Sequence, residues 1–166
     1  MLAAACFASR VVLAEDVAMP IVMPKASSLV SPEEMGRGQS HRFNGQERVS
    51  GNFRAVWEGA ARTTAPRYWI ELDDASAARL PHFQGYDVRS LDIADGEVTL
   101  TQLLGEQQAK QLLADSTPKR FQLRASVLIT DYEISIECDS PWARARAISA
   151  ERGIAAVPSI DRTARC

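Results

Sequence analysis

Histidine and cysteine are scarce in this chain, at two and three of 166 residues. His41 and His82 have no second histidine or cysteine at metal-ligand spacing, so no zinc motif is written here. There is no C-x-x-C, no glycine-rich phosphate loop and no G-x-S-x-G, and Asp73-Asp74 and Asp92 to Asp95 lack the spacing of a calcium loop. No cofactor and no metal are expected. No apolar run approaches the ~18 residues that span a bilayer. Basic charge shows no surplus either: the formal net charge is -2, which disfavours nucleic acid as a partner.

What is present is the balance of a globular protein, 46% hydrophobic and 24% charged, at a length that suits one domain. Residues 1–14 read as a signal-like leader, with Val12-Leu13-Ala14 matching a small-residue cleavage site before Glu15. No basic residue precedes the apolar part and Arg10 interrupts it, as in a truncated leader. Ala3-Ala4-Ala5-Cys6 offers a poorer match to a lipoprotein signal. The expected location is periplasmic or secreted. Residues 15–45 contain three prolines and no sustained period, and read as a flexible N-terminal arm with one helical turn around Ser31-Pro32-Glu33-Glu34. Residues 46–153 form the expected globular domain, and 154–166 a C-terminal tail.

Within the domain, alternation predicts strands. Val49, Gly51, Phe53, Ala55 and Trp57 share one face, and Gly51 marks a bulge or bend. Tyr68, Ile70 and Leu72 point inward on a second strand, and "YDVRSLDIA" fits a third. Leucines at 100, 103, 104, 112 and 113 have helical spacing, broken at Gly105, with a second helix over 106–114. Two strands follow, over "KRFQLRASVLIT" and "YEISIEC", joined by a turn at Thr130-Asp131 that sets Arg124 opposite Glu137 and Leu123 opposite Cys138. Ser140-Pro141-Trp142 then opens a C-terminal helix, "WARARAISAER", ending at Gly153.

Three strands, a helix between strands 3 and 4, then two more strands is an element order that resembles small OB-fold-like β-barrel domains of exported proteins. The resemblance covers residues 47 to 138 and rests on order alone, with no family motif. It implies a mainly β fold with some helix: a five-stranded antiparallel barrel, or a strongly curved sheet, with a C-terminal helix added. It also implies ligands across the second and third strands, where outward-facing Trp69 is the leading candidate, with Phe83, Tyr86 and Arg89 beside it; the alternative is that Phe83 and Tyr86 simply pack beneath the 74–87 connection.

The function expected is a non-enzymatic exported binding or accessory domain, of inhibitor or immunity type, with a protein, peptide or glycan partner. One alternative is a small hydrolase using Asp73, with neighbouring Glu71 and Asp74, together with His82. Another is a barrel binding single-stranded nucleic acid through Arg120 and Arg124, although Glu133 and Glu137 would largely neutralise that face. Cys138 lies between Glu137 and Asp139, which disfavour a thiolate. A buried role, or a disulfide with Cys166, is the expectation.

Overall fold

The structure, a computed structural model, describes residues 19–31, 40–57, 65–115, 117, 119–137, 140–154 and 156–162. It is mainly β. In chain order the elements are β1 (Ile21–Val22), β2 (Ser40–Phe43), β3 (Glu47–Trp57), β4 (Arg67–Leu72), α1 (Asp74–Ala77), β5 (His82–Phe83) and β6 (Ser90–Ile93). Then come α2 (Gly96–Leu104), α3 (Glu106–Ala114), β7 (Lys119–Glu137), β8 (Ser140–Arg152) and β9 (Ser159–Asp161). Among the described residues, seven strands make one curled sheet in the order β2-β7-β3-β4-β6-β8, with β9 also on β7, while β1 and β5 form a separate pair. The path of pairings returns on itself, because β8 runs parallel to β6 and also antiparallel to β7.

Alternation drives the core. Val49, Phe53 and Ala55 of β3, Ile70 of β4, and Phe121, Leu123, Val127 and Ile129 of β7 are all buried. Each such Val, Leu, Ile or Phe side chain removed from water contributes about 1.5–3 kcal/mol. Leu100, Leu103, Ala109 and Leu112 bring the helical pair down onto the same core. Gly105 separates α2 from α3 at φ 82, a conformation that costs glycine little and other residues more.

Gly51 makes no bulge. Its pairing is continuous with Leu72 on one side and Ala125 on the other. A Cβ there would collide with the Glu71 carbonyl and press on the Ile70 side chain, so the glycine lets β3 and β4 approach closely.

Two further expectations are corrected. The first is the turn at Thr130-Asp131: β7 runs straight through as one 19-residue strand. Asp131 has φ 51, and the register against β8 shifts between Thr130 and Glu133. One extra residue switches the inward set from odd positions (Val127, Ile129) to even ones (Tyr132, Ile134), a parity change that a bulge produces as readily as a turn. Arg124 therefore pairs across from Asn52, not Glu137, and Leu123 from Phe53.

The second is the C-terminal helix. Residues 140–152 are β8, with Ala143 and Ala145 buried and Arg144 and Arg146 exposed. Alanine and arginine are good helix formers, and Ser140-Pro141 resembles a helix start, but pairing along β7 overrides local preference.

Parts of the segment read as an arm lie on the domain. Leu29 is buried, Val30 bridges Asn44, and β2 pairs antiparallel with β7. Ser28 donates from its amide and its hydroxyl to the Glu47 carboxylate at 2.8 and 2.7 Å. In the tail, β9 pairs with Arg120 to Gln122 of β7. The leader, the helical turn at 32–34, and Cys6, Cys138, Asp139 and Cys166 lie outside the described residues.

Candidate functional site

β6 and β8 pair only at Asp92 with Arg144 and Ile93 with Ala145. A bond from the Ala94 amide to the Ala145 carbonyl, 3.0 Å, extends this short seam by one residue. N-terminal to this seam the two strands are not paired, and a cleft of about 240 Å³ lies between the 82–90 segment on one side and Ile134 and residues 141–143 on the other.

Its walls are set by local structure. The buried Tyr132 hydroxyl donates to the Pro81 carbonyl at 2.7 Å and fixes the start of β5. His82 faces the cleft with Nδ1 at 3.0 Å from the Leu80 carbonyl, so that nitrogen carries the proton and Nε2 is left for other partners. Phe83 is buried and meets His41 edge-on at 5.8 Å. A turn at Gln84-Gly85, with Gly85 at φ 86 and the Tyr86 amide bonded to the Phe83 carbonyl, leaves Tyr86 exposed at the rim. Arg89 bonds to the Asp74 carboxylate and lies 3.5 Å from Asp87. Opposite stands Trp142 of β8, with the Arg144 guanidinium 5.5 Å from its ring centroid. The indole Nε1 is shut off from solvent without a hydrogen-bond partner among the described residues.

Of the four residues singled out by sequence as ligand-binding, Phe83, Tyr86 and Arg89 share this cleft. Trp69 does not. It is half-buried on β4, in register with Arg54 and Asp92. Trp142, which the sequence places at the start of a C-terminal helix, lies instead on β8 and lines the cleft. The Ala-Arg-Ala-Arg alternation after it was the signal that could have put it on a strand.

The acids considered for hydrolysis are engaged elsewhere. Asp73 caps α1 through the Ser76 amide at 2.9 Å and receives Arg124 at 2.7 Å. Burial pushes its carboxyl up, but the Ser76 bonds and Arg124 outweigh this and hold it below the usual carboxylate range. Glu71 pairs with Arg54 at 2.7 Å. His82 lines the cleft, whereas Asp73 and Asp74 do not. Arg124 is neutralised by Asp73, while Arg120 projects outward. Among the described residues, no group of three or more His, Cys, Asp or Glu side chains is arranged to hold a metal ion.

A second depression, about 450 Å³, is lined by Arg42, Asp131, Glu133, Arg144 and Arg146 among others. Its arginines already face carboxylates. Glu133, nearly buried, accepts from Ser40 Oγ at 2.7 Å and Arg144 at 2.9 Å, with Arg42 at 3.5 Å. It thereby ties β2 and β8 to β7. Burial alone would raise the Glu133 pKa, but the Ser40 and Arg144 bonds, with the charges of Arg42 and Arg144, bring it below its ordinary value. Glu133 therefore contributes stability above the unfolded carboxylate range, about 4.3, and loses it as pH falls through its lower folded value. Glu133→Gln is expected to cost about 1–3 kcal/mol near neutral pH. The wild-type and variant melting curves are expected to converge as pH drops from about 4 toward about 2. A separation that stays constant across that range would refute the ionic account.

Comparison with protein-family models, with curated proteins and with solved structures finds no significant match to any of them.

Proposed function

We propose that this chain is a non-enzymatic, exported binding or accessory domain that engages a protein, peptide or glycan partner through the β6–β8 cleft. The observation that carries this reading is the gathering of Phe83, Tyr86 and Trp142 with Arg89 and Asp87 in one open cleft. Aromatic faces supply contact area at low entropic cost, and a few placed polar groups set orientation, which is the common make-up of a ligand site. Export is supported by the Val12-Leu13-Ala14 pattern.

A finer reading of the fold accompanies this one: the curled sheet is an OB-like barrel of β3, β4, β6, β7 and β8. Its support is the cyclic order of pairings, the parallel β6–β8 contact, and helices α2 and α3 between β6 and β7. The fold does not name the activity, which has to be argued from the cleft.

The test is a panel of soluble peptides and glycans, followed by NMR on the full chain. At least one class is expected to shift the Trp142 indole and Tyr86 signals together, with affinity at least about tenfold weaker in Trp142→Ala. Binding that leaves both signals unmoved, or that survives Trp142→Ala unchanged, would defeat the cleft as the site. For export, the intact mass of secreted protein should begin at Glu15. A mass that keeps residues 1–14 would overturn that part.

A further inference from the structure

We infer that the cleft takes a single neutral saccharide ring, stacked on Tyr86 and oriented by hydrogen bonds to the Trp142 indole N–H and Asp87. This rests on the binding reading above and narrows it to one ligand class.

Size comes first. At about 240 Å³ the cleft is smaller than the ~300 Å³ lower bound for pockets that take drug-sized ligands. It suits one ring rather than an extended segment. An incoming peptide strand would need backbone partners on the free edge of β8, and Pro141 at the mouth has no N–H to give.

The lining chemistry separates the remaining options. Tyr86 is 37% exposed, so its aromatic face is available to the C–H face of a sugar, while half-buried Trp142 has Arg144 against its ring and offers its N–H edge. His82, Asp87, Arg89 and Ser90 add polar groups that a purely apolar ligand would leave unmatched. Charge argues for neutrality. Asp87 and Arg89 already face each other, and Arg89 also holds Asp74, so the arginine of the lining is matched before any anionic sugar arrives.

The Trp142 indole supplies the selective element. The indole Nε1 has no hydrogen-bond partner among the described residues, and a buried donor left in that state costs about 1–3 kcal/mol. A small rotation of the ring toward a ligand hydroxyl would satisfy it, so a ligand with an acceptor at that point gains over one without.

The experiment follows the Trp142 indole N–H signal of the full chain on adding neutral oligosaccharides of glucose or N-acetylglucosamine. Parallel arms use a uronic-acid oligosaccharide and short aromatic peptides, each at about 10 mM to reveal millimolar binding. A neutral oligosaccharide is expected to shift the indole signal and to saturate. Trp142→Phe, which keeps a ring but loses the N–H, should weaken binding by about tenfold, and Tyr86→Ala by a similar factor. Unchanged spectra outside the cleft verify that both variants fold. Peptides shifting the indole while no saccharide does would overturn the sugar assignment and leave the binding site standing. Uronic-acid binding without neutral binding would overturn the charge argument and the assignment with it. Silence from every arm at the cleft signals would overturn the inference and would strike peptide and glycan from the binding reading.

Discussion

Tyr132→Ala is expected to lower stability by about 3–5 kcal/mol, the range for removing a fully buried aromatic ring. Tyr132 is fully buried, lies 5.6 Å from Phe43 between ring centroids, and is the first inward residue after the bulge at Asp131. Burial also pushes its hydroxyl pKa well above the ordinary tyrosine value, so the group stays a neutral donor to the Pro81 carbonyl. Tyr132→Phe separates the two roles. It keeps the ring and abandons only that bond, with an expected cost of about 1–3 kcal/mol. Because Pro81 leads into His82 and Phe83, Tyr132→Phe should also speed hydrogen exchange over 81–86 more than over β3. Uniform acceleration would show that the hydroxyl serves the fold at large and does not hold the cleft wall.

The second large effect is expected at Gly51. Gly51→Ala places a Cβ against the Glu71 carbonyl, a backbone atom that cannot swing away. Separating β3 from β4 there should cost about 3 kcal/mol, at the upper end of ordinary overpacking. For a chain of this size that is a drop in Tm of about 6–12 °C. Gly85→Ala is the useful contrast: nothing stands within 4 Å of a Cβ there, and only the positive φ of 86 opposes the substitution. Its cost should be about 1 kcal/mol. Equal losses at the two sites would refute the close-approach account of Gly51.

Strand content was legible wherever alternation was clean, as in β3, β4 and both halves of β7. The helical pair was legible from leucine spacing and from Gly105. Two things were not. A parity change in the inward residues marks either a turn or a bulge, and the sequence around Thr130-Asp131 does not distinguish them. Only the partner strand decides, and β8 supplies a register that runs on both sides of the bulge. Likewise, alanine and arginine after Trp142 satisfy a helix locally and a strand globally. At the cleft, Phe83, Tyr86 and Arg89 were legible as aromatic and cationic groups near the third strand. Trp142 was not, because its place depends on β8 crossing back beside β6.

That return of β8 bears on synthesis. Strand partners lie far apart in the chain: Glu47 pairs with Ile129, and Asp92 with Arg144. Such non-local pairing makes folding slow, since the long loops must close before the contacts reward them. Until β8 is in place, β6 and β7 keep apolar faces and open edges that invite pairing with another chain, wherever the chain folds. The penultimate strand of the curled sheet to be made is therefore the one that covers the edges of two others.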